Sequence, residues 1–202
     1  MLLAIDTSAG TSVAVVDRDR GVLSEHSVED TRRHAEVIGD LIERALRDAG
    51  ISARKLSGVA VGMGPGPFTG LRVGIAAARA FAFGAGKPVV PVVSHDAVAF
   101  GRVTPVTVVT DARRREVYWS SYDSPDAAGL PRRDRGPSLA APDEVPADRE
   151  RVDARWVSAA SVGLLAEALY AAGRPFAPDE PLYLRSPDVT MSTTNASGRR
   201  VT

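Results

Sequence analysis

The sequence predicts a mixed α/β fold, and three observations carry that prediction. Short apolar runs of strand length alternate with longer segments of helical period. Two of the apolar runs end in aspartate, and each is followed by a polar turn and a β-rich return. Gly and Pro mark the boundaries, above all at Gly64-Pro65-Gly66-Pro67. With 202 residues and 44% apolar side chains, there is material for one large domain or two small ones around a packed core.

Residues 2–5 are an apolar run closed by Asp6, and Thr7-Ser8-Ala9-Gly10 turn it into a second strand at 13–16. A third strand is expected at 22–28. From 34 to 49, Val37, Ile38, Leu41, Ile42, Ala45 and Leu46 recur at helical spacing, and Gly50 ends the helix in the left-handed conformation that glycine tolerates. Residues 58–63 read as a buried strand. The Gly-Pro turn then leads into a helix at 69–85, a strand at 89–93, and a short helix through Phe100 with Ser94 as its N-cap. The second half starts the same way: a strand at 106–110 ending at Asp111, a turn through Arg115, and a return at 117–122. Residues 124–151, rich in Pro, Asp, Arg and Ala, promise at most short strands. A helix is expected at 159–172 and a final strand at 181–185.

The two Asp-ended hairpins read as a degenerate internal duplication. A repeated β-β-β-α-β-α plan is that of the actin-like ATPase class (ASKHA, ribonuclease H-like), in which two such hairpins face each other across a nucleotide cleft. The expected organisation is a complete N-terminal α/β domain at 1–102, a reduced C-terminal α/β domain at 103–190, and a disordered polar tail at 191–202.

Composition narrows the function classes. Lys plus Arg equal Asp plus Glu at 25 each. A free-standing nucleic-acid binder draws its affinity from a basic excess, which this chain lacks. The sequence contains no cysteine, so it has neither disulfides nor a thiol nucleophile. No basic-then-apolar leader opens the sequence, and the longest apolar helical candidate, at 71–85, carries Arg72 and Arg79 and is too short to span a bilayer. A cytoplasmic protein off the membrane is expected.

Asp6, Thr7, Ser8 and Asp111 stand where this fold class contacts phosphate, and a turn of backbone N–H groups can cradle an anion. The plainer reading is a tight hairpin whose side chains satisfy their own turn, favoured because the second copy, Asp111-Ala112-Arg113, lacks glycine. The glycine-rich run from Gly64 to Gly74 is no phosphate-binding P-loop, since Gly70 is followed by Leu71-Arg72 rather than Lys-Ser/Thr. Gly70, Gly74, Ala77 and Phe81 fall on one face of the helix. Such a stripe lets another helix approach closely. It serves either a partner or the chain's own sheet, and the further apolar positions Val73 and Ile75 favour a partner. His26, His34 and His95 are not at metal-ligand spacing. The run Arg113-Arg114-Arg115 beside Tyr118 and Trp119 reads as a solvated turn, with a nucleic-acid patch as the alternative.

These residues resemble the TsaB (YeaZ) family, smaller relatives of TsaD within the old glycoprotease grouping. The resemblance rests on Ala4-Ile5-Asp6-Thr7-Ser8, His34-Ala35-Glu36, Gly62 with Gly64-Pro65-Gly66-Pro67-Phe68-Thr69-Gly70-Leu71-Arg72-Val73-Gly74, Asp111-Ala112-Arg113-Arg114, Glu116-Val117-Tyr118 and Pro181-Leu182-Tyr183-Leu184-Arg185. Family members usually carry Ser at the position of Pro67. The resemblance implies a non-catalytic partner of TsaD in tRNA N6-threonylcarbamoyladenosine formation. TsaD holds the metal and transfers the threonylcarbamoyl group to adenosine 37, and an ATPase, TsaE, joins the pair. A four-helix contact would use the helices at 34–49 and 69–85, through His34, Ile38, Leu41, Gly70, Leu71, Arg72, Gly74, Ala77 and Phe81. Alone, the chain would pair with itself. It would hold no cofactor of its own, ATP or ADP entering only in the assembled complex, and it would reach tRNA through that complex. The rival expectation is an independently active actin-fold ATPase or kinase using Asp6 and Asp111, or a peptidase.

Overall fold

The computed structural model describes residues 1–185, so the expected tail and residues 186–190 lie outside the described residues. The elements are β1 (Leu2–Asp6), β2 (Thr11–Asp17), β3 (Gly21–Val28), α1 (His34–Asp48), β4 (Gly58–Gly62), α2 (Phe68–Ala85), β5 (Val89–Val92), α3 (Ser94–Ala99), β6 (Val106–Asp111), β7 (Val117–Asp123), β8 (Arg132–Ala140), β9 (Glu150–Asp153) and α4 (Ala159–Ala171). No described helix is long and apolar enough to cross a membrane.

The first sheet runs β3-β2-β1-β4-β5 and the second β8-β7-β6-β9. In the first, β1 pairs antiparallel with β2 and parallel with β4. In the second, β6 pairs antiparallel with β7 and parallel with β9. The second sheet therefore repeats the first four strands in order and direction, as the paired Asp-ended hairpins foretold. Among the described residues it has no fifth strand, and no helix stands between β8 and β9 where α1 stands between β3 and β4.

The central strand β1 is buried along its whole length, which explains its unbroken apolar run. Its Leu3 and Ile5 face α1 and α2, packing with Ile38, Leu41, Leu71 and Ile75. Its Leu2 and Ala4 face the other way, onto Val162, Leu165 and Ala166 of α4. The first sheet is thus covered on both faces. By sequence α4 falls in the reduced second half, yet it packs on the first sheet. Gly163 permits this, since a Cβ there would come within 2.5 Å of Val16 Cγ2. The start of α4 is fastened to the same sheet: Ala159 N–H donates to Ser12 Oγ at 3.0 Å, and Ser158 Oγ donates to Glu25 Oε1 at 2.7 Å.

Three local expectations are corrected. β8 is a nine-residue strand inside the segment expected to hold at most short ones. It is held by antiparallel pairing with β7, which composition does not report. Ser94 does not cap α3: Val93 is the N-cap, and the Ser94 hydroxyl reaches back to β1 and the turn after β4. Residues 181–185 are not a strand. Their one sheet-like link is Leu182 N–H to Met63 O at 2.8 Å, while Tyr183 leaves to stack against Phe68 at 4.8 Å.

Candidate functional site

At the end of β1 the chain turns through Asp6, Thr7 and Ser8, all buried. Asp6 Oδ1 accepts from Ser8 N–H at 2.8 Å and from Ser8 Oγ at 2.6 Å, and Asp6 Oδ2 accepts from Ser94 Oγ at 2.6 Å. Burial pushes the Asp6 carboxyl above the usual carboxylate range, against the pull of these bonds. Thr7 Oγ1 donates to Gly70 O at 2.8 Å. The side-chain oxygens of Asp6, Thr7 and Ser8 thus all bond the chain's own backbone and hydroxyls. Asp111, the counterpart on β6, is exposed and accepts from Arg113 N–H at 2.9 Å, an Asx turn.

The glycine signature closes over that same turn. A Cβ on Gly62 would strike Asp6 Oδ2, and one on Gly66 would lie 2.8 Å from Ser8 Cα. One on Gly70 would lie 2.7 Å from Thr7 O, and one on Gly74 would strike Thr7 Oγ1. These four glycines, at intervals of four, let the loop after β4 and the first turns of α2 settle directly on the Asp6–Ser8 turn. The stripe Gly70–Gly74 thus faces inward, and its assignment to a partner contact is corrected. Ile38, Leu41 and Leu71 are also core residues, at 8%, 3% and 0% exposure. His34 is buried and hydrogen-bonds through Nδ1 to Thr11 Oγ1 at 2.7 Å. Of the expected contact residues Arg72 is exposed, and Ala77 and Phe81 are half-buried. Sequence reasoning missed Phe83 on the same helix, which is 91% exposed.

Arg72 lies over the Phe68 ring, 3.9 Å from its centroid, and its Nε donates to Tyr183 Oη at 3.3 Å. This holds the 181–185 segment against the start of α2. Farther along, Arg79 pairs with Asp179 at 2.8 Å.

Beside the start of α2 lies a cleft of about 720 Å³, lined by Arg32, His34, Phe68, Arg113, Arg114 and Arg185 among others. Burial first, then the nearby Arg113 charge, holds His34 below the ordinary imidazole range, so its ring is neutral at pH 7. Arg113, Arg114 and Arg115 all have left-handed backbone, at φ 63°, 55° and 63°.

The two sheets are joined by three consecutive residues of α3 that no sequence motif marks. Ser94 bonds Asp6 of the first sheet. His95 is fully buried and bridges Ser120 Oγ at 2.8 Å and Thr110 Oγ1 at 2.9 Å on the second. Asp96 accepts from Tyr122 Oη at 2.7 Å. Burial pushes the His95 pKa down to about 3, so this ring is a neutral structural bridge rather than an acid or base. Among the described residues, no three His, Asp or Glu side chains converge as metal ligands would.

Residues 13–128 match the family model described as TsaD: tRNA N6-adenosine threonylcarbamoyltransferase. An uncharacterized protein of Mycobacterium tuberculosis is 41% identical over 198 residues, covering 93% of this chain and 92% of its own length. The Escherichia coli tRNA threonylcarbamoyladenosine biosynthesis protein TsaB is 30% identical over 162 residues, 78% of this chain and 69% of that protein. The YeaZ structure from Pseudomonas aeruginosa superposes with a TM-score of 0.74 at 25% identity, over 91% of this chain and 99% of that one. The repeated Asp-ended hairpin, the glycine signature seated on its first turn, and these likenesses agree: the chain belongs to the TsaB (YeaZ) family.

Proposed function

We propose that this chain acts in tRNA N6-threonylcarbamoyladenosine biosynthesis as a non-catalytic subunit that binds and activates a TsaD homologue. The observation that carries the reading is the state of Asp6. Where an actin-fold ATPase presents its first hairpin to phosphate, both carboxylate oxygens here are engaged by Ser8 and Ser94, and glycines seal the turn from outside. A buried carboxylate with both oxygens engaged by the chain's own donors supports a structural role for Asp6 over contact with a nucleotide or a metal.

The partner contact falls on the outer sides of α1 and α2; of the expected stripe it keeps Ala77 and Phe81 but not Gly70 or Gly74, which face inward. Along α2, half-buried Val73, Ala77 and Phe81 recur every four residues, and Phe83 adds an exposed ring near the helix end. An unpaired aromatic on a largely apolar helix is the kind of anchor that dominates interfaces. Arg72 lies at the rim of this strip. The same strip would support self-pairing when the partner is missing. TsaE, tRNA and ATP or ADP would join only through the assembled complex.

The test is co-purification with the organism's TsaD homologue, followed by tRNA modification assayed with and without this chain. Stable association and chain-dependent modification are expected. Full modification by the TsaD homologue alone, with no association, would refute the proposal.

A further inference from the structure

We propose that the partner subunit meets α2 with an apolar segment flanked by carboxylates. This rests on the partner role argued above and adds the chemistry of the partner's face.

The first support is the distribution of charge. The chain holds 25 Asp and Glu residues in 202, yet none falls between Asp48 and Asp96, where five cations do: Arg54, Lys55, Arg72, Arg79 and Lys87. That stretch contains β4, α2 and β5, so α2 lies within an acid-free block. The neighbouring α1 differs. Each of its carboxylates has an arginine beside it: Arg33 for Glu36, Arg44 for Asp40, and Arg47 for both Glu43 and Asp48. Of the five cations in the acid-free block, only Arg79 finds a carboxylate among the described residues, Asp179 at 2.8 Å. The positive charge on α1 is therefore compensated within the chain, and that around α2 is not.

The second support is where these cations stand. Arg72 is in the first turns of α2, lying on the Phe68 ring and donating to Tyr183 Oη, contacts that leave its charge intact. Arg54, Lys55 and Lys87 gather at the other end. Gly86 takes left-handed backbone and its N–H donates to Phe83 O at 3.2 Å, while Lys87 N–H donates to Ala82 O at 2.8 Å. Backbone donors thus close the end of α2, and the Lys87 side chain is free of that task. It reaches Arg54 O at 3.1 Å instead, which places the exposed Arg54 and Lys55 beside the helix end. The partial negative charge of a helix end, about half a unit, offsets a fraction of three cations.

The third support is what lies between. Ala76, Ala80 and Phe83 recur at i, i+4 and i+7, all three are exposed, and the Phe83 ring is 91% exposed. The face from Arg72 to Lys87 is about 22 Å long. A nucleic acid would meet cations at its two ends and alanines between, whereas its affinity grows with the number of phosphates neutralised. A protein segment with an apolar middle and carboxylates at its ends matches the whole length. Phe83 is then the anchor, and the cations are the rim that steers approach.

The experiment follows association of the full chain with the organism's TsaD homologue by stopped flow, from about 50 to about 500 mM salt. The parent should associate about tenfold more slowly at the high end. Arg54→Glu/Lys55→Glu should associate about tenfold more slowly than the parent at low salt and nearly equally at high salt, with dissociation little changed. Lys55→Arg should behave as the parent. Arg20→Glu/Arg155→Glu makes the same change in net charge in the β2–β3 turn and the β9–α4 loop, and should slow association less than about twofold. Parent rates independent of salt overturn the proposal, as do equal slowing in both charge-reversed chains or unchanged kinetics in Arg54→Glu/Lys55→Glu. Unchanged kinetics with loss of tRNA binding by the assembled complex overturns it in favour of a nucleic-acid surface. In all these cases the two proteins still associate, so the partner role stands; no association of the parent removes both. The salt dependence is read on the unaltered chain, so the test holds even if a variant fails to fold.

Discussion

Replacing Gly74 by alanine puts a methyl group where the Thr7 hydroxyl sits. In an ordinary helix interior this change stabilises by about 1 kcal/mol, because glycine has the larger backbone entropy to lose. Here Thr7 has nowhere to go. It is 1% exposed, its side chain is β-branched and stiff, and Oγ1 is already held by Gly70 O at 2.8 Å. Rotating away forfeits that bond, about 1 kcal/mol, and the crowding that remains costs about 1–3 kcal/mol. The net expectation is a loss of about 1–3 kcal/mol, at about 2–4 °C of melting temperature per kcal/mol for a chain of this length. Gly39 on α1 is the control, because a Cβ there meets nothing within 4 Å. Gly39→Ala should therefore stabilise, by about 1 kcal/mol. The assay is urea and thermal unfolding of both variants, with a double-mutant cycle on Thr7. Thr7→Ala should cost less in the Gly74→Ala background than alone, giving a coupling of at least about 1 kcal/mol. If Gly74→Ala raises stability as Gly39→Ala does, the stripe faces outward and the account of the glycine signature is wrong.

Other outcomes follow from the same structure. His95 is neutral when folded, with a pKa pushed down to about 3, whereas the unfolded chain protonates it near the ordinary value. Its contribution is present above about pH 6.5 and is lost as pH falls toward 3, at about 1.4 kcal/mol per unit. Asp6 and Asp96, both raised by burial, act with the opposite sign. Comparing unfolding of the parent and His95→Gln from pH 7 to 4 isolates the histidine; parallel curves would contradict its assignment. Asp6→Asn should lower stability by about 1–2 kcal/mol, because an amide replaces an acceptor among three donors. It should leave modification by the complex nearly intact. A loss above about a hundredfold, about 2.7 kcal/mol, with folding and association unchanged would overturn the non-catalytic reading. Phe83→Ser should melt like the parent, since the ring touches little of its own chain, yet bind the TsaD homologue more weakly by about 1–3 kcal/mol in calorimetry. Unchanged affinity would move the interface elsewhere.

Most of the element order was legible because it depends on local period. Ile38, Leu41 and Ala45 recur at helical spacing, and they are buried on the inner side of α1. The Asp-ended hairpins announced the duplication, and the second sheet repeats the order of the first. The segment at 132–153 was not legible. β8 and β9 draw their stability from pairing with β7 and β6, partners that no local pattern names.

The site divides along the same line. Spacing alone placed Gly70 and Gly74 on one face of α2, but periodicity says nothing about what that face meets. The helix is apolar on nearly every side, so no polar stripe marked its solvent face, and Phe83 went unnoticed among its neighbours. The inward turn of the glycines was decided by the Thr7 hydroxyl and the Ser8 backbone, some sixty residues away in sequence and in direct contact in space. The choice between an open phosphate hairpin and a closed structural turn likewise rested on Ser94, which reaches Asp6 only once β5 has paired beside β4. Local sequence carried the elements and their spacing. Which polar groups met one another, and which were left facing a cleft, depended on contacts formed only when the sheets assembled.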